Sequence, residues 1–353
     1  MTNSYIRNSI LILLVLTSVI GYSSETTHKN TTATNNYDVK KDIKETIKHH
    51  LQDSYSFEIT HGVGFPLPII LFDDGIHIFS SGKFHHGEQV VESKGNFYKL
   101  DTHHGKIYKT DALGTINFDE NHNISNIAPF DFSITKNVFV LLLMSSFIFF
   151  IFSKMAKKYS SSPNPGGAAK FLEPIVIFVR DEIAIPNIGE KHYRKYLNFL
   201  LTIFFFIWFL NLAGMTPLGI SVTNNIAVTS ALAICTFLIT TFTGNKNYWA
   251  HIFWMPGVPI PMRLLLAPIE LLGIFIKPFA LMIRLYANMT AGHVVMMSII
   301  GLIFVFKNYF ATGAFVGLSL FLSVLELLVA ALQAYIFTML SSLYFGSAKE
   351  EHH

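Results

Sequence analysis

Two long apolar runs near the end of the chain, residues 263–306 and 310–345, limit the fold more than any other feature. An upright helix needs about 20 residues to cross a hydrocarbon core of about 30 Å. The first run is roughly twice that length and the second nearly so. At about 1.5 Å per residue each reaches on the order of 55–65 Å if helical throughout. They must tilt steeply, bend or partly unwind, and Pro278 and several glycines offer bends. The simplest arrangement is a steeply tilted antiparallel hairpin turning near Lys307-Asn308-Tyr309.

Three shorter apolar runs, 134–152, 193–213 and 225–243, each suit one crossing. Only 14% of the 353 residues are charged, against about 25% in soluble domains, and the shortage is confined to residues 133–345. The chain reads as a mainly α membrane protein of about five membrane helices, with a small β-rich exported domain at its N-terminus. The net charge of +3 gives no nucleic-acid signal, because the basic residues border apolar runs. With one cysteine, Cys235, no intrachain disulfide can form. There is no phosphate-binding glycine loop and no zinc-spaced Cys/His set, so no cofactor or metal is expected.

The N-terminus resembles a secretory signal. Arg7 precedes the apolar run 10–20, and Gly21-Tyr22-Ser23 presents small residues for cleavage near Ser23, giving a signal peptide over 1–23. The alternative is an uncleaved anchor. Residues 24–132 then form an exported extension, with a tether, a short helix around 39–51 and a β-rich part. Residues 69–72 and 76–79 flank Asp73-Asp74-Gly75 as a hairpin, and 96–100 and 106–109 flank His103-His104-Gly105 as another. This region holds ten of the fifteen histidines, including His49-His50, His85-His86 and His103-His104. Neighbours on a strand point to opposite faces, so these doublets read as solvated turn histidines, with a metal site as the alternative.

Residues 154–195 carry eight Lys or Arg, whereas the loop 214–224 has none, which places 154–195 in the cytoplasm and 214–224 outside. An exported N-terminus gives the same orientation, and the C-terminus is then cytoplasmic, as in a bacterial inner-membrane protein. Residues 168–185 read as an amphipathic helix on the cytoplasmic surface.

The polar residues of the two long runs are few: Glu270, Lys277, Arg284, Asn288, His293, Glu326 and Gln333. An arginine cannot shed its proton, and at a bilayer centre it costs roughly 2.5–3.5 kcal/mol. Glu270, Lys277, Arg284 and Asn288 are spaced by seven, seven and four, so they share a helix face. His293 is nine residues beyond Arg284 and faces away from it. Folding the hairpin about 308–309 pairs residues whose numbers sum to about 617–619. His293 then meets Glu326 at one depth and Arg284 meets Gln333 deeper. Histidine titrates near neutrality and a buried carboxylate can be raised toward it, so the pair suits proton transfer. The alternative is a static ion pair joining two helices.

Met282-Ile283-Arg284-Leu285-Tyr286-Ala287-Asn288-Met289-Thr290-Ala291-Gly292-His293 closely resembles the signature of the subunit a family of F-type ATP synthases. Residues 326–337, from Glu326 through Gln333, resemble its partner segment, and Asn211-Leu212-Ala213-Gly214-Met215-Thr216-Pro217 its earlier motif. The resemblance runs from about residue 133 to the end and implies a membrane domain over 133–353. It implies a non-catalytic stator subunit against a rotating c ring, beside peripheral-stalk b subunits and the other synthase subunits. On that likeness Arg284 faces the ring carboxylates and separates two half-channels. His293 and Glu326 line the external one, Asn288 and Gln333 are polar neighbours of the arginine, and Glu270, Lys277 and Asn211 are supporting polar positions. Many bacterial members carry the carboxylate and histidine of that pair in exchanged order. Two other classes compete. A self-contained transporter would need the internal repeats that this sequence lacks. A membrane-anchored receptor or assembly protein would make the exported domain the functional part.

Overall fold

A computed structural model describes residues 52–60, 63–102, 104–119, 124–161, 166–216, 222–253, 259–305 and 309–349. The signal peptide and the short helix around 39–51 lie outside these. Strand alternation builds the N-terminal domain. β1 (Ser56–Thr60) pairs antiparallel with β2 (Val63–Pro66). β3 (Pro68–Phe72) and β4 (Ile76–Ser80) form the first expected hairpin, closed by Asp74 and Gly75 at positive φ. β5 (Val91–Ser93), β6 (Asn96–Asp101) and β7 (Lys106–Thr110) form a second sheet containing the other hairpin. β8 (Phe130–Asp131) returns to β3. Ile69, Leu71, Phe79, Phe84, Tyr98 and Ile107 form the core.

His77 shares that interior, at 1% exposure, bonded to Ser93 Oγ and the Asp73 carbonyl. His85 and His104 are exposed, and His104 pairs with Asp101. Among the described residues no three His, Cys, Asp or Glu side chains are grouped as metal ligands.

The helical part begins with α1 (Lys136–Ser161), which runs nine residues beyond the apolar run read from sequence. α2 (Ala168–Phe178) continues through a wider π turn (Val179–Ala184) into a last turn (Ile185–Ile188) that Pro186 opens. α3 (Tyr193–Gly214) and α4 (Ile226–Thr243) match the shorter runs, and Asn225 caps α4 by accepting from the Ala227 N–H. A short α5 (Lys246–Phe253) follows, which the sequence reading did not anticipate.

α6 (Ile260–Val305) has 46 residues and α7 (Tyr309–Ser347) has 39. Pro268 and Pro278 lie inside α6 without ending it; each forgoes one backbone hydrogen bond. Among the described residues, five helices are long and apolar enough to cross a membrane.

The helices share one core. Val179 and Ile183 of the π turn, Leu200 and Phe205 of α3, Leu281, Leu285 and Met289 of α6, and Ala334, Phe337 and Phe345 of α7 are buried together. Tyr196 stacks on Phe345 at 4.7 Å between centroids. At the same place Asn187 donates to Ser342 Oγ, and a Cβ on Gly346 would lie 2.0 Å from the Asn187 carbonyl oxygen. Only glycine fits there.

All described residues belong to one unit, Glu45–His353. The β domain grips the head of α1. Lys136 N–H donates to Ser54 O, Asn137 N–H to Asp53 Oδ1, and Phe57, Phe65 and Phe139 form a ring cluster. Phe57 and Leu67 are buried with Val140, Leu210 and Val222, carrying this contact onto α3 and the 3-10 turn Val222–Asn224 before α4.

Candidate functional site

The two long helices hold every ionisable residue singled out above. Leu281, Leu285 and Met289, four apart, form the buried stripe of α6, and His293 extends it at 8% exposure. Ile283, Arg284, Ala287, Asn288 and Ala291 lie on the exposed face. One helix thus carries a buried imidazole and an exposed guanidinium on different faces. Among the described residues no carboxylate lies within ion-pairing distance of Arg284.

Backbone geometry fixes the register between α6 and α7. The carboxyl of Glu326 sits where a side chain on Gly292 would begin, with Oε1 3.2 Å from the position of an added Cβ. Residues 292 and 326 sum to 618, within the range given by folding the hairpin. Glu326 is therefore against the residue preceding His293. An imidazole and a carboxyl thus stand at one depth. Arg284 and Gln333 fall at a common depth by the same register but turn apart, Gln333 inward at 4% exposure and Arg284 outward. Eight residues separate Arg284 from Gly292, about 12 Å along the helix axis.

The supporting positions divide. Lys277 lies over the ring of Tyr344, 5.5 Å from its centroid, one further step along α6 from Arg284. Glu270 is half-buried. Asn211, at the far end of α3, is 2% exposed and its Nδ2 reaches the Ala330 carbonyl at 3.5 Å. Ala330 lies on α7 between Glu326, four residues before it, and Gln333, three after, so Asn211 sits between the His293–Glu326 level and that of Arg284.

Several buried polar groups lie in the same half of the bundle; Asn211 is a supporting position read from the sequence, and the others are not. Asn211 Oδ1, Thr223 Oγ1, both side-chain atoms of Asn224, and Thr290 Oγ1 are buried with no hydrogen-bond partner among the described residues. Each such atom, left dry, costs about 1–3 kcal/mol. Five of them together would cost on the order of 5–15 kcal/mol, comparable to the whole stability of a domain. These are places for water. The sequence did carry one sign of them: of the pair Asn224-Asn225, only Asn225 is needed as the helix cap.

Comparison with known proteins gives the site a context. The family model described as ATP synthase A chain matches residues 123–346, and one described as a domain of unknown function matches residues 46–132. ATP synthase subunit a of Chloroherpeton thalassium is 42% identical over 236 residues, covering 64% of this chain and 70% of its own. The protein of that name from Pelodictyon phaeoclathratiforme is 43% identical over 278 residues, covering 76% and 79%. That from Chlorobium phaeobacteroides is 39% identical over 293 residues, covering 79% and 83%.

Proposed function

This chain belongs to the ATP synthase A chain family, and on that premise we propose that it is the proton-conducting stator subunit of the membrane sector. One observation carries the reading: Arg284 stands on an exposed face with no ion-pair partner among the described residues, while the Glu326 carboxyl lies against Gly292, next to the buried His293. A permanent cation kept in an apolar setting without an internal counter-charge suits a carboxylate supplied by another subunit. A c ring with a buried carboxylate on each subunit is that partner. Arg284 favours the ionised form of the arriving carboxylate, so its proton is released. The fixed charge also separates two water-accessible half-channels, and it blocks direct leakage between them.

His293 and Glu326 act before that step, taking protons from the outer side and handing them toward the ring. Gly292 makes this possible by leaving room for the Glu326 carboxyl. Asn288, on the arginine's own face, and Gln333, at its depth, hold polar surroundings near the charge. The β domain lies on the outer side, the segment 154–195 and the C-terminus on the cytoplasmic side, and b subunits complete the stator. The chain conducts protons and carries no catalytic site of its own.

The test is Arg284→Lys in the assembled synthase. Lysine loses the planar fork and can deprotonate when desolvated. ATP-driven proton pumping is lost while ATP hydrolysis by the soluble sector persists. Normal coupled pumping in that variant would remove Arg284 from this role.

A further inference from the structure

The β domain is not needed to place Arg284, yet it docks at a specific point of the bundle. Its hairpin β1–β2 and the following Leu67 do not rest on the lipid-facing length of α1. They are buried against Val140, Leu210 and Val222. The last two matter most. Leu210 immediately precedes Asn211, and Val222 immediately precedes Thr223 and Asn224. Asn211, Thr223 and Asn224 each carry a buried polar atom with no hydrogen-bond partner among the described residues. Asn211 in turn reaches Ala330, one turn from Glu326, and Thr290 lies one turn before His293. The docked hairpin thus packs beside residues that adjoin buried polar side chains near the levels of His293, Glu326 and Gln333.

We propose that the β domain is a collar on the outer mouth of the proton-access path, and that Asn211, Thr223, Asn224 and Thr290 line the hydrated vestibule beneath it. This rests on the proton-conducting reading given above. The collar adds a function for residues 46–132, which that reading leaves without one. Phe57 and Leu67 clamp the rim, and the hydrogen bonds from Lys136 and Asn137 to Ser54 and Asp53 hold the clamp in register with α1. The vestibule admits water and small ions, and the collar restricts larger solutes.

The chain's one cysteine makes the test clean. In a Cys235→Ala background, Asn224→Cys is introduced into the whole synthase in right-side-out vesicles. It is challenged from outside with silver ion, and separately with a membrane-impermeant sulfonate methanethiosulfonate. Silver reacts readily and blocks proton conduction, whereas the sulfonate reagent reacts slowly. Adding Leu67→Ala, which loosens the clamp, makes the sulfonate reaction roughly tenfold faster, as expected when a locally occluded site opens. The silver rate stays as it was.

A cysteine at 224 inert to silver shows a dry cluster and overturns the vestibule. A sulfonate rate indifferent to Leu67→Ala overturns the collar. If the loosened variant fails to assemble, the intact collar is probed with a series of thiol reagents of rising size. A steep fall in rate supports it, and a flat series overturns it. His293→Ala serves as a separate control. If that variant conducts protons normally, the conducting reading itself fails, whatever the labelling shows.

Discussion

The β domain and the α6–α7 pair treat their charges in opposite ways. In the β domain charges find partners at once. Lys109 Nζ lies 2.8 Å from Asp73 Oδ2, the Tyr98 hydroxyl donates to the same carboxylate, and Tyr55 donates to Asp131. In α6 the arginine stands on an open face, with no ion pair among the described residues. Water makes a charge cheap and its pairing optional; hydrocarbon makes it expensive, so a charge kept there has a use. Pairing within the β domain reads as structure, and the open face at Arg284 is where the function proposed above puts a partner subunit.

Substitutions can break or sharpen that contrast. The largest effect is the loss of pumping in Arg284→Lys. Next comes the pair His293 and Glu326. Alanine at either lowers proton flux through the membrane sector by roughly 100-fold, as for a lost proton-transfer group. Exchanging the two residues restores part of it, and additive losses without recovery would separate the pair. Gly292→Val pushes the Glu326 carboxyl aside and slows flux by roughly tenfold, since relay groups tolerate little displacement. Unchanged flux would show that the 3.2 Å approach has no role in conduction.

Gly346→Ala forces a Cβ into the Asn187 carbonyl and destabilises the α2–α7 contact by on the order of 1–3 kcal/mol. It reads out as less subunit assembled in the membrane, with the specific flux of the assembled fraction unchanged.

The smallest effect lies in the β domain. The Lys109 ammonium holds the Asp73 carboxyl below the usual carboxylate range, with help from the Tyr98 hydroxyl. A depressed folded-state pKa contributes stability above the ordinary carboxylate value, lost as pH falls through the lowered one. In Lys109→Met, hydrogen exchange at β6 and β7 of the full-length protein is therefore faster at pH 7. That difference fades in acid, as pH falls from the ordinary carboxylate range through the lowered value that Lys109 gives Asp73. A difference that persists in acid would assign the effect to lost packing of the lysine stem.

The membrane part was legible because its rules are few. Length and hydropathy gave five spans, and the period of 3.6 separated Arg284 from His293. The Gly292–Glu326 contact falls within the range that folding the hairpin predicts. The β domain was legible only in part. Its two hairpins carry turn residues between alternating strands, whereas the β1–β2 docking on α1 joins Phe57 to Phe139, 82 positions away, and no local pattern encodes it. His77 was readable in hindsight: it keeps the inward phase of Phe79, two residues on, but a histidine there invites a surface reading. α5 is too short to carry a periodic signal. The unpartnered oxygens of Thr223 and Thr290 come from packing among helices, which a single sequence does not state.

The length of α6 has a consequence for the membrane itself. A straight rod of 46 residues is about 69 Å long, and to remain within about 30 Å of hydrocarbon its axis must lean by roughly 60° from the normal. Lipid tails cannot pack well against both sides of so oblique a rod. They leave a wedge above it and another below, open toward opposite surfaces. On the proton-conducting reading proposed above, water approaches the middle of the membrane through two shallow ramps instead of one bored tube, with the insulating layer thinnest beside the fixed charge of Arg284.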